Sequence, residues 1–223
     1  MSHRTTGLCP DMRILFELSP TEEFSAEMPS SRVLLLIVLI FTAAFARLVP
    51  HMYNATPVAA VTLFAAAYLP ARRWSVLLPF AAMFFSDLVL YATKDIAYRD
   101  QAIFNMLFVY SAFAGIALLG QLLRRQVTAS RVIGTAVVGS ILFFLVTNFG
   151  AWLALSQPLS TGEPAFYSRT LGGLIDCYIA GVPFFRGTFF GDLIYTTALF
   201  GGLALLERIV PQFQQPIAQP TVQ

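Results

Sequence analysis

Charged side chains are scarce in this sequence of 223 residues. Only 12% of the residues are Asp, Glu, Lys or Arg, whereas 57% are hydrophobic. A soluble domain carries about a quarter charged residues, so this chain has too little charge to cover a globular surface. The composition also excludes a disordered chain, a collagen-like repeat and a disulfide scaffold. We therefore expect an integral membrane protein whose chain lies mostly in the lipid bilayer.

Cysteine and histidine are almost absent, with two of each in the whole chain. Such small numbers provide neither a disulfide framework nor a metal cluster. The sequence also has no Gly-x-Ser-x-Gly, no His-Glu-x-x-His, no phosphate loop and no dinucleotide fingerprint. We therefore predict no catalytic residue, no metal, no cofactor and no enzymatic activity. A formal net charge of +2 is too small to indicate nucleic-acid binding.

What the sequence does contain is a series of long apolar segments. A polar stretch, residues 1–31, precedes them, and we predict that it is a disordered cytosolic tail. A transmembrane helix needs about 17–25 apolar residues, and six segments fit that length: 32–49, 55–71, 75–92, 103–123, 131–155 and 187–207. The predicted fold is all-α, a polytopic membrane protein whose six-helix domain covers 32–208, with a short polar tail at 209–223.

A seventh apolar stretch, residues 170–185, is too short to span comfortably. Pro183 is predicted to end it, and Arg186 follows at once. Apolar runs of about 10–14 residues are often re-entrant or interfacial. We interpret this stretch as a short helix that lies over the bundle or dips into it. The alternative is a tight seventh span.

The distribution of basic residues predicts the orientation of the helices, because cytosolic loops are enriched in Lys and Arg. With both termini in the cytosol, nine of the fourteen basic residues lie inside and five lie outside. The inside group includes the pairs Arg72–Arg73 and Arg124–Arg125. This orientation makes the connection 156–186 external.

The start of the chain allows a second interpretation. From Met28 onward, Arg32, nine apolar residues and the small-x-small triplet ending at Ala46 resemble a cleavable secretory signal. The apolar stretch continues past Ala46, which favours an uncleaved first helix. The true start, at Met1, Met12 or Met28, stays open.

Polar residues inside the predicted spans cluster toward the outer side. A charge at the centre of a span costs about 2.5–3.5 kcal/mol on insertion scales, so such residues are expected to face protein or water. We predict an outward-facing pocket, with the 157–186 segment as its lid. Its predicted substrate-binding residues are Asp87, Asn148, Trp152, Asp192, Asn54, Arg186 and Tyr195.

Each of these residues also has a purely structural interpretation. Asn54 and Asp192 would then cap the helices that follow them. Arg186 would extend toward the lipid headgroups or pair with Asp87 or Asp192, rather than bind an anionic ligand group. Aromatic residues near the membrane faces are expected as interfacial belts.

Several short motifs resemble a known family when their order and spacing are taken together. They include Asn54-x-x-Pro57, Ser86-Asp87-Leu88, Thr147-Asn148-Phe149-Gly150-x-Trp152, Cys177-Tyr178-x-Ala180-x-x-Pro183 and Gly191-Asp192-Leu193. Over about residues 32–207 the chain resembles the domain of unknown function 6580 family, uncharacterised bacterial membrane proteins described as transport proteins.

That family is in turn similar to the substrate-binding S components of energy-coupling-factor transporters. This similarity implies a six-helix bundle with both termini inside and a vitamin pocket at the outer face. It also implies an energy-coupling membrane module with ATPases as a partner. The small-residue docking pattern of S components is not clean here, since Thr42-x-x-x-Ala46 is its nearest match.

These observations favour a transport protein of the bacterial inner membrane that binds a small, vitamin-like nutrient. Its expected partners are the lipid bilayer and the small-molecule substrate. The alternative is a non-enzymatic accessory or assembly subunit of a larger membrane complex. A third hypothesis, an intramembrane enzyme with Asp87 or Asp192 as acid or base, finds little support because nucleophile and metal motifs are missing.

Overall fold

The computed structural model of the protein describes residues 30–45, 57–69, 72–93, 96–157, 164–210 and 213. Within these ranges the chain is helical and contains no β-strand, which confirms the all-α prediction for this part of the protein. The six α-helices are α1 (Ser30–Phe45), α2 (Val58–Tyr68), α3 (Arg72–Thr93), α4 (Ile96–Gln121), α5 (Ala129–Leu155) and α6 (Leu171–Ile209). A 3₁₀ turn, Leu122–Arg125, follows α4. The described helices belong to one unit, Pro29–Gln214.

Some of the predicted features fall outside the described residues. They are the N-terminal tail up to residue 29, Ala46 at the end of the possible signal-cleavage site, the predicted binding residue Asn54, and most of the tail after residue 210. The two tails and the start of the chain therefore stay predictions.

Three helical segments are long and apolar enough to cross a membrane: Met106–Arg125, Ala129–Leu155 and Leu171–Ile209. Their outer faces carry large apolar side chains, among them Leu107, which is 69% exposed, and Ile194, which is 65% exposed. A water-soluble protein rarely exposes so many large apolar side chains, whereas lipid-facing helices require them. The chain is thus a membrane protein. The apolar parts of α1, α2 and α3 are shorter, so the count of six spans stays a prediction.

The prediction of a separate short helix at 170–185 is wrong. The structure has one unbroken helix, α6, which runs through Pro183 to Ile209. Proline removes a backbone donor and breaks helices in water, but neighbouring helices allow it within membrane-spanning helices. α6 packs along α5 both before Pro183, at Tyr178, and after it, at Asp192. Its 39 residues correspond to about 58 Å at 1.5 Å per residue, well beyond a hydrocarbon core of about 30 Å.

Helix α2 is the buried centre of the bundle. All ten of its first residues, Val58–Ala67, are buried, and it packs against α1, α3, α4 and α6. Because the sequence is apolar all round, it suits a helix enclosed on every side. The fully buried ring of Phe64 lies 5.3 Å from the ring of Phe200 on α6 and 5.1 Å from that of Tyr68.

Ring contacts fix the relative directions of the helices. On α4 and α5, Phe113 meets Phe143 at 5.2 Å and Phe108 meets Phe149 at 6.2 Å between ring centroids. The α4 numbers rise while the α5 numbers fall, so these two helices are antiparallel. Between α5 and α6 the contacting residues also run in opposite order, since Ser140 meets Asp192 and Leu145 meets Tyr178. Helix α6 is therefore antiparallel to α5 and parallel to α4.

One end of the bundle therefore carries a group of five described arginines. The Arg124 guanidinium donates from Nε to Ala66 O at 2.8 Å and from a terminal nitrogen to Leu69 O at 2.6 Å, which places the last turns of α2 and α4 side by side. The starts of α3 and α5 and the end of α6 lie at this same end. We call it the arginine end, after Arg73, Arg124, Arg125, Arg131 and Arg208.

Two glycines of α5 give a matched test of this packing. A Cβ at Gly150 would overlap the ring of Phe108 on α4, whereas a Cβ at Gly134 would meet nothing within 4 Å. We expect Gly150→Ala to lower the free energy of unfolding by about 1–3 kcal/mol through overpacking. Gly134→Ala should leave it unchanged or raise it by up to about 1 kcal/mol, because alanine favours helix. Equilibrium unfolding in mixed detergent–SDS micelles measures both, and equal effects would contradict the antiparallel α4–α5 contact.

Candidate functional site

Polar and aromatic side chains line the contact between α5 and α6. On α5 they recur at every fourth residue, which places them on one face of the helix. On α6 a buried stripe of small and polar residues faces them. The α5–α6 seam consists of Ser140, Phe144, Asn148 and Trp152 on α5, and Cys177, Gly181, Phe185, Thr188, Asp192 and Thr196 on α6.

The end of the seam opposite the arginine end is closed by the segment 164–170. The indole Nε1 of Trp152 donates to Ser168 O at 3.1 Å. The backbone N–H groups of Phe166 and Tyr167 donate to Leu155 O at 2.9 and 3.3 Å. This segment therefore folds back over the last turn of α5 and leads into α6.

A capped helix start holds the closing segment in place. Thr170 is the N-cap of α6, and its hydroxyl accepts a bond from Gly173 N at 3.2 Å. The Ser168 hydroxyl lies 2.8 Å from that of Thr170. Gly173 lies so close to the backbone of Ser168 that a Cβ there would overlap it. The start of α6 thus fits the closing segment tightly.

Asn148 lies in the middle of the seam, against Gly181. Its Nδ2 donates to Phe144 O at 2.8 Å, and its Oδ1 occupies the space that a Cβ on Gly181 would need. The Cys177 thiol donates to Asn148 O at 3.5 Å. A larger residue at position 181 would displace the Asn148 amide.

Aromatic rings flank Asn148 on both helices. The Phe144 ring lies 4.9 Å from that of Phe185 and 5.7 Å from that of Tyr178. The Tyr178 hydroxyl donates to Leu145 O at 2.7 Å. These contacts combine an apolar surface with a few fixed polar groups.

Tyr167 brings a further polar group to the covered end of the seam, which is the end closed by segment 164–170. It lies in the closing segment, and its hydroxyl is within hydrogen-bonding reach of the Cys177 thiol. Partial burial, and then the neighbouring Cys177, raise the pKa of the Tyr167 phenol above its ordinary value. The phenol is therefore a neutral donor at physiological pH.

Asp192 lies deeper in the bundle than the sequence indicated. Its side chain is 3% exposed, and Oδ2 lies 2.6 Å from the hydroxyl oxygen of Ser140. Ser140 is eight residues before Asn148, a rise of about 12 Å along α5. The predicted position near the outer end of a span is wrong, and so is the capping alternative. Both assumed a helix that begins near 187, whereas α6 begins at Leu171.

Asp87 does not belong to the seam. It lies on α3, is 7% exposed, and accepts a bond from the Tyr110 hydroxyl of α4 at 3.1 Å. Tyr110 lies between Phe108 and Phe113, which face Phe149 and Phe143, so it is at roughly the height of Asn148. The predicted common height of Asp87 and Asn148 thus has support, but the two side chains lie in different helix contacts.

Of the remaining predicted residues, Arg186 and Tyr195 lie on α6. Arg186 is exposed and forms no hydrogen bond or ion pair with any described residue, so neither predicted carboxylate pairing is formed. Tyr195 is half-buried one turn after Asp192. Asn54 is outside the described residues. The structure thus brings Asn148, Trp152 and Asp192 into one seam.

Three polar residues of these contacts were missed in the sequence, namely Ser140, Tyr110 and Thr196. Ser140 is eight residues before Asn148, and Thr196 is four residues after Asp192. The signal was their spacing, which repeats the helical face of a residue already selected. Because polar residues were expected toward the outer side of the spans, Ser140 and Thr196 were overlooked.

No group of three or more metal-ligating side chains occurs within the described ranges. The model of a family of unknown function, DUF6580, matches residues 27–213, and the chain therefore belongs to that family. Neither the curated proteins nor the solved structures contain a match to the chain. The resemblance to the family is confirmed, and the similarity to S components stays a proposal.

Proposed function

We propose that this protein is a transport protein of the bacterial inner membrane that binds a small, vitamin-like nutrient. The binding region would be the covered end of the α5–α6 seam, around Asn148 and Trp152. The observation that carries the proposal is the closing segment 164–170, which is hydrogen-bonded to the end of α5 at Trp152 and Leu155 and leads directly into α6. The membrane character of the chain and its family membership are the premises.

The chemistry of this region suits a small ligand with an aromatic or apolar body. Binding sites for small molecules combine apolar walls with a few polar groups in fixed positions. Trp152, Tyr178 and Phe185 supply ring surfaces, while the Asn148 amide and the neutral Tyr167 phenol supply polar contacts. Rearrangement of segment 164–170 would admit the ligand.

The arginine end supports an orientation in which the covered end of the seam faces outward. Arg73, Arg125 and Arg131 are exposed at the arginine end, and basic loops remain on the cytosolic side. Both termini would then be cytosolic. No ATP-binding motif is present in the sequence, so uptake would draw on an ion gradient or on an energy-coupling module with ATPases.

Small molecules that co-purify with the protein test the proposal directly. We expect wild-type protein in mild detergent, exposed to a vitamin mixture, to release a metabolite detected by mass spectrometry. Trp152→Ala should bind it at least about tenfold more weakly, a loss of about 1.4 kcal/mol, because it removes a ring surface and the bond to Ser168 O. Asn148→Ala should weaken binding as well.

The chain provides a matched control for this experiment. Its other tryptophan, Trp74, is 49% exposed near the start of α3, at the arginine end. Trp74→Ala should leave binding unchanged. Absence of any bound metabolite in the wild type, together with stable co-purification of a non-transport complex, would replace the proposal with the accessory-subunit alternative.

A further inference from the structure

The Ser140–Asp192 contact is the most deeply buried polar contact between two helices in the described ranges. Ser140 is fully buried and Asp192 is 3% exposed. Ser140 is the twelfth of the 27 residues of α5, so the contact lies close to the middle of a membrane-spanning helix. At this depth an ionised carboxylate is costly unless several donors surround it.

The Ser140 hydroxyl has two oxygen atoms within hydrogen-bonding distance. Its hydroxyl oxygen is 3.0 Å from Ala136 O and 2.6 Å from Asp192 Oδ2. A serine hydroxyl has one hydrogen, and a backbone carbonyl has none to give. The hydroxyl therefore either donates to Asp192 Oδ2, or donates to Ala136 O and accepts the proton of a neutral Asp192 carboxyl. The burial of the contact favours the second arrangement, because it leaves no ionised carboxylate inside the bundle.

We propose that Asp192 is a proton-binding site inside the membrane-spanning bundle, with its carboxyl donating to Ser140 and Ser140 donating to Ala136 O. The ligand is a proton: binding forms the Oδ2–H bond of a neutral acid, and release returns the proton to water and leaves a carboxylate. This site stands on the burial of the Ser140–Asp192 contact and goes beyond the proposed nutrient binding.

A second observation points to an exchange partner for this proton. The buried Thr196, four residues after Asp192 on the same face of α6, has a hydroxyl with no hydrogen-bond partner. Buried hydroxyls of other helices bond to the carbonyl four residues before, as Thr62 does with Val58 O at 2.8 Å. Such a hydroxyl is free to bind a water molecule, and a water bound there would exchange the proton with Asp192.

Charged and titratable groups near Asp192 are few. Helix α5 carries only Arg131, nine residues before Ser140, and α2 carries only Tyr68 within its bounds. Within one turn of Asp192 on α6 the single titratable residue is Tyr195, since Arg186 is six residues away and exposed. No described cation therefore stabilises an ionised Asp192.

Infrared difference spectroscopy on the full chain in lipid tests the proposal. At neutral pH the wild type should show the C=O stretch of a protonated carboxyl, shifted in D₂O and lost at alkaline pH. Asp192→Asn should abolish this band. Asp87→Asn should retain it, because Asp87 lies in a different helix contact, where it accepts from the Tyr110 hydroxyl.

A second variant keeps the test decisive if Asp192→Asn fails to fold. Ser140→Ala removes the acceptor of the carboxyl proton, so the band should persist but move to higher frequency. A wild-type spectrum without a protonated carboxyl at neutral pH would overturn the proposal. A band unchanged in both seam variants, or a carboxylate signal that responds to added sodium, would overturn it as well.

Discussion

Replacement of Phe64 by alanine is expected to cause the largest loss of stability of any substitution considered for this protein. The Phe64 ring is completely buried in α2 and contacts both Tyr68 and Phe200. In a bilayer, helix association depends mainly on close packing, because lipid tails are as apolar as the side chains. A cavity at the centre of the bundle therefore removes contacts that nothing replaces. We expect the free energy of unfolding to fall by about 3–5 kcal/mol, as for other buried Phe→Ala changes.

Phe84→Ala provides the control for this prediction. Phe84 lies on α3 and is 55% exposed, on a surface that lipid chains can fill after the ring is removed. Equilibrium unfolding in mixed micelles should show a loss of less than about 1 kcal/mol for this variant, in the range of surface substitutions. Equal losses at Phe64 and Phe84 would mean that α2 is not the enclosed centre of the bundle.

The sequence was a good guide to the location of helices. Each of the six apolar segments overlaps a helix of the structure, because a long run of Leu, Ile, Val, Phe and Ala in lipid must satisfy its backbone internally. It was a poor guide to where one helix ends and the next begins. Pro183 and Arg186 together suggested a break, yet α6 continues through both. The structure shows α6 packed against α5 on both sides of the proline, and such tertiary contacts are not visible in a pattern of residues.

The candidate site was predicted only in part, again because contacts between helices are not visible in the sequence. The sequence identified Asn148, Trp152 and Asp192 as polar residues inside apolar segments, and the structure places all three in the α5–α6 seam. It could not show that Asp87 pairs with Tyr110 in another helix contact, because the choice of neighbours depends on how helices pack. The depth of Asp192 was misjudged because depth was counted from a helix end that does not exist.

The seam combines two environments that have different requirements. Its covered end, at Trp152 and Tyr167, offers polar groups that are partly exposed and can exchange their partners for a ligand. Its deep part, at Ser140 and Asp192, is buried, so each hydrogen there needs an acceptor within the bundle. A ligand-binding role fits the first environment, and a role in holding one proton fits the second. The buried stripe of α6 connects them through Gly181 and Thr188.

Arg124→Ala is expected to be nearly as damaging as Phe64→Ala, for an electrostatic reason. The last carbonyls of a helix have no partner within it, and the C-terminal end of α2 is enclosed by its neighbours. The Arg124 guanidinium supplies that partner through its two bonds to Ala66 O and Leu69 O. It also places a positive charge at the negative end of the α2 helix dipole. Because hydrogen bonds to charged groups contribute about 1.5–3 kcal/mol each, we expect Arg124→Ala to lower the free energy of unfolding by about 3 kcal/mol.

The adjacent Arg125 makes this prediction specific. It has the same charge and lies in the same 3₁₀ turn, but it is exposed. Arg125→Ala should therefore change the free energy of unfolding by less than about 0.5 kcal/mol, as is usual for surface positions. Arg124→Lys should lose part of the stability, because an ammonium group cannot reproduce the planar fork that contacts two carbonyls. Equal effects of the two alanine variants in the same unfolding measurement would show that net charge at the arginine end, and not the cap on α2, determines stability.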